Sequence, residues 1–253
     1  MSVKVICPYV DENEIDKSKS IYWNLPIHFE KDTAGIGSDM MYQKLWNKFP
    51  KDDIFILHAD IYPLNDDKDN NWFNKVLSYV DKYPEAGIFG CLLLYPATHE
   101  EEKNKHYIQS AGGKFKDNKP DHFGSGLCLD TGGKFKDEIL IDEGQFDYVR
   151  EVAWTTFGGV YIRRQVFKKL GNFSPNFEWT YNRDVDYCLR AREIGFKVYQ
   201  IPVRLLHHES RDNKRIRAQD QNKLKAEMRN LETLKNLWKD SELYKTLDEK
   251  IND

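Results

Sequence analysis

The chain has 253 residues, 40% hydrophobic and 31% charged, with 38 basic and 41 acidic residues and a formal net charge of −3. This length suits one sizeable core, so we expect a single domain over residues 1–253. Because both signs of charge are mixed along the chain, nucleic acid is not an expected partner. The basic run of Lys214, Arg215 and Arg217 lies beside acidic residues, as is typical of a solvated helix face.

Cysteine usage and the N-terminal residues indicate a reducing compartment. The four cysteines are scattered, without a CxxC pair, and the N-terminus turns acidic before a signal-peptide core could form. The longest apolar run, residues 88–95, is far shorter than the ~20 residues that a membrane span requires. We therefore expect a cytoplasmic protein without a transmembrane segment, and peripheral membrane contact stays open.

In chain order, the first half alternates between strand-like and helix-like segments. We expect a strand at 3–10, a weaker strand at 21–30, a glycine loop opening a helix at 32–49, a strand at 54–61, an amphipathic helix at 72–83 and a strand at 87–96. This alternation predicts an α/β fold with a mainly parallel central sheet flanked by helices.

The second half begins with a glycine-rich insertion and ends in a helical tail. GGKFKD occurs at 112–117 and again at 132–137, and we expect two loop or hairpin turns there. Further elements are predicted as strands and a short helix within 150–173, a helix at 185–195, short strands at 196–209 and a helix from 217 to about 248. An apolar stripe predicts that this C-terminal helix packs on the domain; it consists of Leu224, Met228, Leu231, Leu234 and Leu237.

Three polar clusters follow predicted strands or precede a predicted helix: HAD at 58–60, RDVD at 183–186 and HHES at 207–210. Ligands of open α/β sheets bind at the carboxyl ends of strands, and Asp60 follows the apolar IFIL segment. Taken singly, an aspartate also fits a turn and a histidine fits a satisfied surface or core position. Their combination predicts a functional site.

The stretch from GGVYIRRQVFKKLGNFSPNF through YNRDVDYCLRAREIGFKVYQIPVRLLHHES, residues 158–210, resembles family 2 glycosyltransferases, especially the rhamnosyltransferase-like branch. The resemblance extends through IQSAGG (108–113), residues 142–154 and ILHAD (56–60), and covers roughly residues 1–212. It implies a GT-A fold with a nucleotide-binding half at 1–100, an acceptor and catalytic half at 101–212, and a helical tail at 213–253.

The activity that the resemblance implies is inverting transfer of a hexosyl or deoxyhexosyl group, as in polysaccharide biosynthesis. The donor would be a nucleotide-diphospho-sugar, and the acceptor a glycan or other glycoconjugate hydroxyl. A divalent cation would bridge the donor phosphates.

In that family an acidic motif after the fourth strand, often Asp-x-Asp, holds the cation. His58-Ala59-Asp60 takes this place, and its last residue matches, so Asp60 is the expected ligand. A carboxylate, an imidazole and phosphate oxygens complete a shell for Mn²⁺ or Mg²⁺, and the imidazole favours Mn²⁺. The family's His-x-Glu-Ser pattern favours His207 as the second ligand. His208 stays the alternative, since adjacent residues of an extended segment point to opposite sides.

RDVD aligns with the family's Glu-Asp-x-Asp motif, whose first aspartate is the general base, so the resemblance implies this role for Asp184. Asp186 would begin the following helix as a cap. Arg183 replaces the usual glutamate. Its charge would lower the pKa of Asp184 and weaken the base, unless the side chain points away.

The resemblance also implies contacts to the donor. Trp154 and the Gly158-Gly159 pair match a loop under the donor sugar and acceptor, with a core tryptophan and a strand bulge as the alternative. The nucleotide contacts would come from the end of the first strand and the DTAGIGSD loop, namely Pro8, Asp32, Gly35 and Asp39.

Two other functions compete with this interpretation. A nucleotidyltransferase of related topology would carry a glycine-rich basic loop after the first strand, and VKVICPYVDENE has none. A degenerate, non-catalytic sugar-nucleotide-binding domain fits Arg183 and the single aspartate of HAD. Titration with nucleoside diphosphates, with and without Mn²⁺, separates these alternatives.

Overall fold

A computed structural model describes residues 2–15, 24–64, 71–96, 106–116, 119–124, 140–178, 181–208 and 221–244. The strands are β1 (Val3–Tyr9), β2 (Ile27–Lys31), β3 (Asp53–Leu57), β4 (Ile61–Pro63), β5 (Ala86–Tyr95), β6 (Tyr107–Ser110), β7 (Gly113–Lys116), β8 (Lys119–His122), β9 (Arg150–Glu151), β10 (Gly159–Ile162) and β11 (Lys197–His207). The α-helices are α1 (Ser38–Lys48), α2 (Asn71–Lys82), α3 (Arg164–Leu170), α4 (Arg183–Glu193) and α5 (Gln221–Trp238). None of these helices is long and apolar enough to cross a bilayer.

Nine of the eleven described strands form one sheet with the order β2-β1-β3-β10-β5-β11-β4, in which β6 also pairs with β5 and β9 with β11. Strands β1, β2 and β3 are mutually parallel, as are β5 and β11. Strand β10 runs antiparallel between β3 and β5, so these two point the same way. The predicted mainly parallel sheet is confirmed, and its long strands end at one common edge.

Side chains of the central strands alternate between two hydrophobic clusters, one on each face of the sheet. In β3, Ile54 and Ile56 belong to the cluster that contains Trp46 of α1. Phe55, between them, belongs to the cluster that contains Trp72 of α2. Helices therefore cover both faces, as the alternation of elements predicts.

Some predicted boundaries need correction. Strand β2 begins at Ile27, whereas the prediction began at residue 21, and residues 21–23 lie outside the described ranges. Residues 197–207 form one strand, where short strands were expected. Its register against β5 shifts between Ile201 and Arg204, which accommodates Pro202, a residue without a backbone N–H.

The first GGKFKD copy contributes β7, which pairs with β8 as a two-stranded antiparallel ribbon. This agrees with the expected hairpin turn. The second copy, at 132–137, lies outside the described residues, as does the basic run at 214–217.

The C-terminal helix packs on the domain, but its buried face shares only Leu234 with the predicted stripe among the residues whose burial the structure describes. Met228 is 67% exposed and Leu237 47% exposed. The buried residues of α5 lie four apart: Ala226, Asn230, Leu234 and Trp238. A step of three residues drifts about 60° around a helix, so a stripe of every third residue leaves the core within two steps. Parts of the predicted helix, 217–220 and 245–248, lie outside the described residues.

Two residues of α5 form hydrogen bonds with α4 and with the segment before it. The Asn230 side chain accepts the Glu178 N–H at 2.8 Å and donates to the Glu178 carbonyl at 2.6 Å. The Trp238 indole N–H donates to Asp186 Oδ1 at 3.0 Å. Asp186 also accepts from Arg190 Nε at 2.9 Å.

The expectation that Asp186 caps α4 is therefore wrong. The helix begins at Arg183, with Asn182 at the N-cap position and Asp186 buried in the first turn. There the Asp186 carboxylate anchors the C-terminal helix.

Replacing Trp238 by Phe should lower the free energy of unfolding by about 1–3 kcal/mol, because the buried Asp186 carboxylate loses a hydrogen-bond donor. Urea denaturation measures the change. Leu237→Ala, at the exposed neighbouring position, is the control and should stay within about 0.5 kcal/mol of wild type. Equal stability of the Trp238→Phe protein and wild type would contradict this role of the indole N–H.

Candidate active site

The site is created where the chain leaves β3 and crosses the carboxyl edge of the sheet. After Leu57, a turn bonded from the Ile61 N–H to the His58 carbonyl at 3.2 Å leads into β4. Strand β4 then runs antiparallel to the end of β11, with Ile61 opposite His207. The His208 N–H donates to the Asp60 carbonyl at 3.0 Å. This crossing places the HAD turn beside the end of β11, although β10 and β5 separate β3 from β11 in the sheet.

Three side chains at this crossing have the spacing of metal ligands. His58, Asp60 and His207 each offer a ligand atom, and these atoms lie within 4.8 Å of one another. His207 Nε2 is 3.4 Å from Asp60 Oδ1. An ion about 2.1 Å from each donor holds two donors about 3–4 Å apart, so the spacing fits one divalent cation. Two imidazoles and one carboxylate suit a transition-metal ion better than Mg²⁺.

Of the two neighbouring histidines, the structure brings His207 into this cluster. His208 is exposed, and its ring packs edge-on against Tyr62, with ring centroids 5.0 Å apart. Opposite orientation of adjacent strand residues explains the difference.

His58 is the member of the cluster that the sequence interpretation missed. Burial, and then the charge of His207, lower the pKa of His58 to about 4, while Asp60 acts against this shift. The imidazole is therefore neutral at physiological pH and keeps a lone pair for a cation. The available signal was its position in HAD, where it takes the first acidic place of the family's motif.

His58 is held between Tyr42 and Gly158. The Tyr42 ring stacks on it at 5.8 Å and 18°, and the Tyr42 hydroxyl is hydrogen-bonded to Nε2. A Cβ at Gly158 would lie 3.3 Å from His58 Nδ1, so glycine allows the backbone to approach the ring closely.

Gly159 and Trp154 are both placed in packing roles. A Cβ at Gly159 would lie 2.7 Å from Leu205 Cδ1, so this glycine makes room for a side chain of β11. Trp154 is 3% exposed, and its indole N–H donates to the Lys114 carbonyl at 3.0 Å. Its ring lies against His122, with centroids 4.6 Å apart. The structure thus favours the core alternative for Trp154 over stacking on a sugar.

The residues expected to contact the nucleotide lie in the first strand, in the glycine loop and at the start of α1. Pro8 is buried in β1, one residue before its end. The Asp32 carboxylate accepts the N–H groups of Ile36 at 3.1 Å and Gly37 at 2.9 Å, and Gly35 has a φ of +64°. Asp32 therefore shapes the loop with both carboxylate oxygens.

Asp39 and Asp184 form a pair of interacting carboxyl groups in the first turns of α1 and α4. Burial raises the pKa of Asp184 to about 6, against the lowering effect of the Val185 and Asp184 backbone N–H groups. Burial, and then the negative charge of Asp184, raise the pKa of Asp39 to about 7. Tyr42 interacts electrostatically with both Asp39 and Asp60, and so connects this pair to the cluster of His58, Asp60 and His207.

Among the described interactions, none shows Arg183 lowering the pKa of Asp184. The guanidinium is buried and donates to the Phe177 carbonyl and to Met40 Sδ. Its charge lowers the pKa of Asp39, whereas the net shift of Asp184 is upward. The Arg183 side chain therefore points away from Asp184, towards Phe177 and Met40 in the protein interior.

Replacing His207 by Ala should weaken Mn²⁺ binding by more than about 100-fold, since even an outer partner of a metal ligand is worth about 10–100-fold. His208→Ala is the matched control and should bind Mn²⁺ like wild type, because this ring faces Tyr62. Electron paramagnetic resonance of free Mn²⁺ measures both affinities. Equal losses in the two variants would contradict the assignment of His207.

Comparison with known proteins supports the class of fold. No protein-family profile matches the sequence. Over 147 residues the chain is 29% identical to the O-antigen biosynthesis protein RfbC of Myxococcus xanthus, a match that takes in 56% of this chain and 10% of that protein. The chain thus spans about a tenth of that relative's length.

Among solved structures, the chain is similar to GalNAc-T7 with UDP, GalNAc and Mn²⁺, with a TM-score of 0.55 and 13% identity over 97% of this chain and 49% of that chain. A197 from STIV matches 80% of this chain and 82% of that chain at 12% identity, with a TM-score of 0.43. The similarity to GalNAc-T7 identifies the sheet with its flanking helices as the glycosyltransferase-like GT-A fold.

Proposed function

We propose that the chain is a metal-dependent, inverting glycosyltransferase that moves a hexosyl or deoxyhexosyl group from a nucleotide-diphospho-sugar to a glycan or glycoconjugate hydroxyl. The observation that carries this proposal is the cluster of His58, Asp60 and His207 at the carboxyl edge of a GT-A sheet. The relative named for O-antigen biosynthesis and the fold neighbour holding UDP, GalNAc and Mn²⁺ support the same class.

In this proposal Asp60, His207 and His58 hold the cation, and Mn²⁺ is favoured over Mg²⁺ because imidazole ligands suit it better. When bound, such a cation neutralises negative charge that develops on the departing diphosphate. The neutral state of His58 serves this role, since a protonated ring has no lone pair to offer. The donor then lies over the nucleotide-binding half, residues 1–100, with Pro8, Gly35 and Asp39 near it.

Asp184 acts as the general base. It accepts the proton of the acceptor hydroxyl while the hydroxyl oxygen bonds to C1 of the sugar and the electron pair of the old C1–O bond leaves with the diphosphate. A single displacement of this kind inverts the anomeric centre. A carboxylate with a pKa of about 6 is ionised at neutral pH and is more basic than an ordinary aspartate.

Asp184→Asn should reduce the transfer rate by about 10²–10⁴-fold, because the amide cannot take up the proton. Mn²⁺ and donor affinities should stay near wild type. The melting temperature at pH 8 should stay equal or rise, since the folded state holds the ionised carboxylate at a cost that the amide removes. Asp186→Asn is the matched control, and it should lose stability while its folded fraction keeps its turnover, because Asp186 anchors Trp238.

The same assignment predicts the pH dependence of transfer. The base is active when deprotonated, so kcat/KM should fall about tenfold per pH unit below the pKa of about 6 of Asp184. Folding raises this pKa, so the protonated form of Asp184 stabilises the folded protein. This contribution to stability is lost as the pH rises from about 4 to about 6, whereas transfer activity increases over the same range. A near-normal rate for Asp184→Asn with an unchanged acid limb would rule out the base role.

Slow hydrolysis of donor sugars tests the function itself. UDP-, dTDP- and GDP-sugars are incubated with the protein, with Mn²⁺ or with EDTA, and release of the nucleoside diphosphate is measured. We expect Mn²⁺-dependent release from at least one donor. Tight donor binding without release, even with acceptors present, would support the non-catalytic alternative. Consumption of nucleoside triphosphate with release of pyrophosphate would support a nucleotidyltransferase.

A further inference from the structure

Gln109, a residue outside the proposed reaction, contacts a proposed metal ligand directly. It lies on β6, is 9% exposed, and its Oε1 is 2.7 Å from His207 Nδ1. An amide oxygen can only accept a hydrogen bond, so the proton of the neutral imidazole is on Nδ1. The lone pair of His207 is then on Nε2, the nitrogen that lies 3.4 Å from Asp60 Oδ1.

An irregularity in the sheet accompanies this side chain. Where β6 pairs with β5, Leu93 is opposite Ser110 and Leu94 is opposite Ile108. Gln109 therefore has no residue of its own on the neighbouring strand, as in a β-bulge. Bulges re-aim side chains and occur frequently beside active sites. Here the bulged residue is the one that reaches the end of β11.

We propose that Gln109 is a positioning residue that fixes the tautomer and ring orientation of His207 for binding a divalent cation. The inference rests on the proposed function, because it assumes that His207 is a ligand. The reverse orientation of the amide would place its NH₂ group against Nδ1 and move the ring proton to Nε2. A protonated Nε2 facing Asp60 cannot bind a cation, so the direction of this hydrogen bond decides whether the site is competent.

Packing alone does not account for a glutamine at this position. A leucine has a similar volume and would fill the space without a polar group to satisfy, and the strand pairing of β6 uses backbone atoms. What leucine lacks is the acceptor for Nδ1–H. Glutamate keeps an acceptor oxygen at the same distance along the side chain, so the two substitutions separate positioning from packing.

The experiment compares Gln109→Leu and Gln109→Glu with Gln200→Leu. Gln200 is a matched control because it is also a buried glutamine of the sheet, and its amide donates to the Ile201 carbonyl at 3.3 Å, away from His207. The affinity of each protein for Mn²⁺ is measured by electron paramagnetic resonance during a titration with the metal. The tautomer of His207 is measured on the metal-free protein from its ¹⁵N chemical shifts, and melting temperatures check the fold.

We expect Gln109→Leu to weaken Mn²⁺ binding by about 10–100-fold and to move the His207 proton from Nδ1 towards Nε2. Gln109→Glu should retain the Nδ1–H tautomer, and its Mn²⁺ affinity should stay within a few-fold of the wild-type value. Gln200→Leu should change neither property. If Gln109→Leu is poorly folded, the tautomer and affinity of Gln109→Glu still test the proposal.

Unchanged affinity and tautomer in Gln109→Leu would overturn the inference while leaving the proposed function in place. So would equal losses in Gln109→Leu and Gln200→Leu, or failure of a folded Gln109→Glu protein to bind Mn²⁺. Absence of Mn²⁺ binding by the wild-type protein would overturn the proposed metal site, and with it the role of Gln109. Mn²⁺ binding by the wild-type protein therefore distinguishes failure of the proposed metal site from failure of the role of Gln109.

Discussion

The candidate site depends on one backbone contact, the hydrogen bond from the His208 N–H to the Asp60 carbonyl. Together with the antiparallel pairing of β4 and β11, it brings two distant chain segments to the same point of the carboxyl edge. A carboxylate from one segment and an imidazole from the other then meet at 3.4 Å. Backbone hydrogen bonds, which do not depend on the identity of the side chains, hold these segments together, so the side chains of the candidate metal site are not needed for the frame.

Two aspartates in one helical turn illustrate how the packing divides roles between like residues. Asp186 faces α5 and receives hydrogen bonds from Trp238 and Arg190. Asp184 is only half-buried and interacts with Asp39 across the site. Since α5 also holds Glu178 in the preceding loop through Asn230, the C-terminal helix helps to set the position of the proposed base.

Burial tunes the two proposed functional groups in opposite directions for one reason, which is that a low-dielectric environment disfavours charge. It lowers the pKa of His58 to about 4 and raises the pKa of Asp184 to about 6. The imidazole is thus neutral and can donate a lone pair to a cation, and the carboxylate becomes a stronger base that is still ionised at neutral pH. A glycosyltransferase of the proposed kind needs both properties, the first for the cation and the second for the acceptor hydroxyl.

By itself, the sequence determined the mainly parallel sheet, its covering helices and the polar residues that end its strands, because periods of two and 3.6 residues record which faces are buried. Resemblance in the HAD, RDVD and HHES segments added the proposals for Asp60, Asp184 and His207. The tertiary structure alone decided that His58 joins the cluster, that Trp154 is a core residue, and which face of α5 is buried. It also revealed Gln109, whose bulge and partner lie on different strands. These features depend on strand register and on contacts between residues far apart in the chain, and local periodicity carries no information about either.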